Sequence, residues 1–288
     1  MNKLIYGASV LLVGALAACS PLSVVNAVSP GGAVQAMSAL RYGGDARNML
    51  DVYRPAAGAH DAPVIVFFYG GNWVSGKRED YAFVGRALAA RGFVVVIPDY
   101  RLYPQVRYPD FLVDGAAAVV WTVREIAAHG GDPKQVFLMG HSAGAYNAAM
   151  LALDPRWLEH QGMTRSMLRG WIGLAGPYDF LPVQNPTTKP VFNAPATPPD
   201  SQPLSHVSAL APPALLIAAS KDKLVDPTRN TGGMAAALRA AKVPVRELYY
   251  DSISHTTLVA SLSNSLQRLA PTLDAVEAFV RSDGGRKE

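Results

Sequence analysis

The sequence predicts an α/β domain built on a mostly parallel sheet with helices on both faces. Three observations carry this. Short apolar runs of strand length alternate with helix-period segments along most of the chain. One of those runs passes into a helix through a tight glycine-flanked turn. The chain has 288 residues, 50% hydrophobic and 17% charged, which suits one globular domain.

The elements follow in order. "NMLDVYRP" (48–55) reads as an early strand and "VIVFFY" (64–69) as a buried parallel one, apolar throughout. "YAFVGRALAARG" (81–92) places Phe83, Val84, Ala87 and Leu88 on one helical face, and Gly92 ends it. "FVVVIP" (93–98) is a second buried strand. "PDFLVDGAAAVVWTVREIAAHGG" (109–131) is a helix opening on Pro and Asp and closing on His-Gly-Gly, with charges that suit its dipole. "VFLMG" (136–140) is a strand, "AGAYNAAMLALD" (143–154) a helix of small residues, and "GWIGLAG" (170–176) and "ALLIAAS" (214–220) two further strands. "TGGMAAALRAAKV" (231–243), "VRELYY" (245–250) and "PTLDAVEAFVRS" (271–282) read as helix, strand and closing helix. Residues 178–213 break the alternation: they are Pro-rich and weakly periodic, the mark of a lid or a disordered segment.

Three segments are expected along the chain: 1–18 a signal peptide, 19–38 a tether, and 39–288 the folded domain. Lys3 and the apolar run "LIYGASVLLVGALAA" precede Cys19, the one cysteine in the sequence. "LAAC" resembles the lipobox of bacterial lipoproteins. That resemblance implies lipidation of Cys19, and the Ser20 after it implies outer-membrane sorting in a bacterial cell envelope. Membrane attachment would be by acyl chains rather than a spanning helix. A net charge of +4 without a long basic run argues against nucleic-acid binding. No H-E-x-x-H or clustered His/Cys spacing points to a metal, and no cofactor is expected.

The chemistry begins at Gly140-His141-Ser142-Ala143-Gly144, a G-x-S-x-G between a strand and a helix, where a sharp turn exposes the serine hydroxyl and a helix N-terminus faces the reacting centre. A serine nucleophile needs a base, and the base an orienting acid, in the chain order Ser, acid, His. Of the histidines after Ser142, His160 lies just past a helix and His206 in the Pro-rich stretch. His255 follows the strand "VRELYY" in the loop "DSISHTTL" and is the expected base. Asp222, three residues beyond "ALLIAA", is the favoured acid. Asp226 before Pro227 reads equally well as a helix cap, and Asp179 is a third candidate.

The set YGGNW, DYRLYP, GGDPKQVFLMGHSAGA, SKDKLVDP and SHTTL resembles the α/β-hydrolase carboxylesterases, in the branch allied to hormone-sensitive lipase, feruloyl esterases and kynurenine formamidases. The resemblance covers about residues 40–282. It implies an α/β-hydrolase fold with a sheet of the eight-stranded type and a small or absent cap. It supports Asp222, assigns oxyanion donors to the amides of Gly71, Asn72 and Ala143, and makes Trp73 a wall of the substrate pocket, with Tyr69 beside it. Tyr69 stands where the family usually has a histidine. "GNWVSGK" from Gly71 also fits most of a phosphate-binding G-x-x-x-x-G-K, but Arg78 follows Lys77 where Ser or Thr would hold Mg²⁺.

The expected function is hydrolysis of a small-molecule carboxylic ester with a short or aromatic acyl group. An amidase or formamidase of the same fold, or an inactive surface binding lipoprotein, are the alternatives. The sequence leaves the oligomeric state open.

Overall fold

A computed structural model describes residues 21–29 and 32–285. The signal peptide and Cys19 lie outside the described residues. The core is one eight-stranded sheet in the order β1-β2-β4-β3-β5-β6-β7-β8. β1 (Val34–Arg41) and β2 (Met49–Pro55) run antiparallel to their neighbours. From β4 (Val94–Pro98) through β3 (Ala62–Phe68), β5 (Gly131–His141), β6 (Leu168–Leu174), β7 (Ala214–Ala219) and β8 (Val245–Tyr250), every pairing is parallel. The central strands are buried on both faces, which is why they are continuous Val/Ile/Leu/Phe runs rather than alternating ones.

Helices cover the sheet. After α1 (Pro21–Val28), α2 (Ala82–Ala90) packs beside α8 (Thr272–Arg281), and α3 (Asp110–Glu125) beside α4 (Ala143–Leu153). α5 (Arg156–Glu159) is a single turn, α6 (Gly233–Ala240) follows β7, and α7 (His255–Ala260) follows β8.

Two differences from the sequence expectation concern the edges. The described residues of the stretch expected to be a tether (19–38), namely 21–29 and 32–38, contribute to the domain. Asn26 on α1 donates to Glu79 O (2.9 Å) and accepts from Arg86 (2.8 Å), and Ser29 bonds Ser263. Residues 34–41 form the sheet edge, bulged between Met37 and Leu40. An edge strand with one weakly buried face shows no alternation, so nothing in "VQAMSALR" announces it. The loop expected around His255 is the first turn of α7, started by a reciprocal Ser254–Thr257 capping box.

The parallel register puts the ends of β3, β5, β7 and β8 along one sheet edge, since Phe68 pairs with Gly140, Leu174 with Ile217, and Ala219 with Tyr250. Open parallel sheets present their ligand-binding loops at this carboxyl edge.

Candidate active site

Ser142 sits between β5 and α4 with φ 54° and ψ −122°, a backbone conformation non-glycine residues seldom adopt. The flanking glycines make this possible by close approach. A Cβ on Gly140 would stand 2.1 Å from Gly144 O, and one on Gly144 would stand 2.0 Å from Phe68 O. The motif is therefore a packing requirement: α4 starts too close to β5 for a side chain at Gly140 and too close to β3 for one at Gly144. The Ser142 amide is tied to Leu174 O (2.8 Å), which anchors the turn to β6.

His255 and Asp222 meet. His255 Nδ1 lies 2.7 Å from Asp222 Oδ2. A carboxylate only accepts, so Nδ1 carries the hydrogen and Nε2 is left as the basic nitrogen. The other oxygen, Asp222 Oδ1, accepts from the amides of Leu224 (2.8 Å) and Val225 (3.1 Å). Burial pushes the Asp222 carboxyl up, but its bond to His255, the His255 charge and the two amides together hold it below its usual range. Ser142 Oγ and His255 Nε2 are not hydrogen-bonded to each other; such bonds commonly tighten only around a substrate.

The rival residues are engaged elsewhere. Asp226 caps the turn after Pro227 through Thr228 N (2.8 Å) and Arg229 N (3.0 Å). Asp179 pairs with Arg229 at 2.9 and 3.1 Å. His206 bonds Asp200 O at 2.7 Å, within the Pro-rich segment. His160 is exposed on the turn after α5.

Opposite the elbow, the loop after β3 places Asn72 (φ 54°) and Trp73 (φ 59°) consecutively in the left-handed region. The amides of Gly71, Asn72 and Ala143 have no hydrogen-bond partner among the described residues. Asn72 and Ala143 line, with Ser142 and Trp73, a cavity of about 250 Å³. Strained backbone offering unused donors beside a serine hydroxyl is the arrangement that stabilises an oxyanion. The phosphate-loop reading of the same residues finds no support in this site.

Tyr69, expected beside the substrate pocket, is held in a buried polar network instead. It is fully buried and absent from the cavity wall. Its hydroxyl donates to Asp99 Oδ1 (2.8 Å) and accepts from Arg47 Nη2 (2.8 Å), which also donates to Gly76 O (2.8 Å). Asp99 further accepts from Arg78 N (2.8 Å) and Arg78 Nη1 (2.5 Å). Tyr100 Oη donates to Tyr69 O (2.7 Å), and the two rings stack 4.8 Å apart. Burial, with Tyr100 and Asp99 adding to it, holds the Tyr69 phenol well above its usual range, so it remains a donor. Tyr69 thus braces the loop from below at both of its ends. Of the partners of Tyr69, Asp99 and Tyr100 belong to "DYRLYP", whereas Arg78 had drawn notice only as the residue after Lys77 and Arg47 had no sequence signal.

Trp73 lines that cavity. Its Nε1 donates to Asn147 Oδ1 (2.9 Å), and its ring packs edge-on against Tyr146 (5.1 Å) and Phe192 (4.8 Å). Much of the remaining wall comes from the Pro-rich stretch, including Phe180, Gln184 and Asn185. That stretch carries no strand or α-helix, only short 3-10 turns, yet it is tied down: Tyr146 Oη donates to Ser201 O (2.7 Å) and Arg156 Nη1 to Asp200 (2.8 Å).

Comparison with known proteins agrees with this architecture. The BD-FAE family model matches residues 50–235. A probable isoprenylcysteine alpha-carbonyl methylesterase of Oryza sativa is 36% identical over 51% of this chain and 36% of its own length. Esterase LipC of Mycobacterium tuberculosis is 30% identical over 69% of this chain and 54% of its own length. The chain therefore spans about a third to a half of these curated relatives. Among solved structures, a thermostable esterase from Pseudomonas putida superposes with TM-score 0.66 at 25% identity, covering 91% of this chain and 86% of that one. Esterase B of Lactobacillus Rhamnosis superposes with TM-score 0.73 at 22% identity, covering 98% of each chain, and shares the fold.

Proposed function

The chain belongs to the BD-FAE family, and on that premise we propose that it is a serine hydrolase cleaving carboxylic esters of short or aromatic acyl groups. The observation that carries the proposal is the Asp222–His255 pair, with Nδ1 engaged and Nε2 left basic, at the same sheet edge as the strained Ser142. The relatives' printed names, esterase and methylesterase, support the same class.

In the proposed cycle, His255 Nε2 takes the Ser142 proton as Oγ attacks the ester carbonyl. Asp222 keeps the Nδ1–H tautomer and stabilises the imidazolium that forms. The amides of Ala143, Asn72 and Gly71 receive the carbonyl oxygen as it becomes an oxyanion; losing one such donor typically costs about 10²–10³-fold in rate. Collapse expels the alcohol, which takes the proton from His255. Water then attacks the acyl-enzyme with His255 again as base, releasing the acid and free Ser142. A cavity of about 250 Å³ favours a short or single-ring acyl group.

The test is steady-state hydrolysis of p-nitrophenyl acetate, butyrate and a longer acyl ester, beside the matching anilides and N-formylkynurenine. Turnover of the short esters, lost in Ser142→Ala, is the expected result. Preference for the amides would move the assignment to an amidase, and equal rates in wild type and Ser142→Ala would remove it.

We also propose that the chain is lipid-anchored in a bacterial cell envelope through Cys19, on the support of the "LAAC" sequence. Cys19→Ser should release it from the membrane fraction; a variant still processed and membrane-bound would contradict this.

A further inference from the structure

His141 ends β5 immediately before the nucleophile and is buried inside the catalytic centre. Its Nε2 lies 3.0 Å from the backbone carbonyl oxygen of His255. A carbonyl can only accept, so Nε2 carries the hydrogen and Nδ1 does not. The two imidazole rings stand 4.9 Å apart, centroid to centroid. His141 Nδ1 is buried without a hydrogen-bond partner among the described residues. It faces the backbone of Gly70, where an added Cβ would stand 3.1 Å from Nδ1 and 3.0 Å from Ser142 Cβ.

One side chain therefore touches the main chain of the base and the residue opening the oxyanion loop, while its own backbone leads into Ser142. Asp222 orients the His255 ring and the Ser254–Thr257 box starts α7, while His141 Nε2–H is the contact that ties the first turn of α7 to the end of β5. An imidazolium at position 141 would need two acceptors where only one exists. Burial, followed by the neighbouring His255, lowers the His141 pKa to about 3, in keeping with a permanently neutral ring.

We propose that His141 is a positioning residue, whose Nε2–H pins the His255 main chain so that the base faces Ser142 Oγ. The proposal rests on the Ser142–His255–Asp222 reading above. It assigns a role in the reaction to a motif position that G-x-S-x-G leaves unspecified. Small displacements of a catalytic group can cost about 10²-fold in rate, so a single hydrogen bond to the base's backbone is enough to matter.

His141→Gln and His141→Met form a near-isosteric pair, of which only Gln can donate. Both are compared with wild type on p-nitrophenyl acetate, with Tm measured for each. The expected result is kcat about 10- to 100-fold lower in His141→Met with KM within about twofold, and kcat largely restored in His141→Gln, the two variants having similar Tm. Wild-type kcat in His141→Met, or equal losses of kcat in both, overturns the proposal. Turnover by wild type that disappears in Ser142→Ala is the separate check on the reading beneath it.

Discussion

At the scale of residues, Asp222 and Asp226 have the same backbone capping and differ in which of them reaches His255. Both carboxylates follow β7, and both accept two main-chain N–H groups. Each takes both amides on Oδ1 and leaves Oδ2, but only the Oδ2 of Asp222 meets His255. Asp222→Asn is expected to lower kcat about 10⁴-fold, because an amide at that position favours the wrong imidazole tautomer; Asp226→Asn should stay within a few-fold of wild type in the same ester assay. Tyr69 is the second case. The sequence marks it as a departure from the family's histidine and sets it beside the pocket, although a hydroxyl can equally serve a buried network. The structure gives it the network. Tyr69→Phe leaves Arg47 and Asp99 each short of a partner, so denaturant titration should show a loss of about 1–3 kcal/mol. A variant as stable as wild type would mean that the brace contributes nothing.

At the scale of elements, the strand–elbow–helix unit was legible because its constraints are local. Gly140, Ser142 and Gly144 lie within five consecutive positions: Gly140 meets Gly144 inside the turn, Ser142 takes its unusual backbone conformation there, and only Gly144 also meets a distant residue, Phe68. Gly144→Ala is expected to fold poorly or lose several degrees of Tm, since its Cβ would meet Phe68 O at 2.0 Å; an unchanged Tm would contradict the tight β3–α4 approach. The loop brace was not legible, because Arg47, Tyr69, Asp99 and Arg78 come from four separate stretches and no periodicity links them. β1 escaped for the opposite reason. It packs one weakly buried face at the sheet edge, so its composition resembles that of a connecting segment. The Pro-rich stretch was recognisable as an interruption, but its place as a cavity wall depends on distant partners such as Tyr146 and Arg156.

At the scale of the whole molecule, a mostly parallel sheet was predictable from the alternation of elements but its strand order was not, and the carboxyl edge gathers residues more than a hundred positions apart, such as Ser142 and His255. The same gathering buries titratable groups, with consequences for stability. The folded-state pKa of His141 is lowered to about 3, below its ordinary value of 6.5, so between those values the unfolded chain binds the proton and the native one does not. Stability should therefore fall as pH drops below about 6.5, with a contribution from this residue of at most about 1.4 kcal/mol per pH unit. Asp222, whose folded-state pKa is depressed, supplies stability above its ordinary range that is lost on further acidification. Chemical denaturation from pH 7.5 to 4.5 should show the first decline, and His141→Gln should flatten it; parallel curves for the two proteins would contradict the neutral assignment. The central claim, that Ser142 is an activated nucleophile served by His255, is tested most directly by reaction with a fluorophosphonate followed by peptide mass mapping. The account predicts one phosphonyl adduct, located on Ser142, formed in wild type and strongly slowed in His255→Ala. Adduct on another residue, or labelling of Ser142 at the same rate without His255, would contradict it.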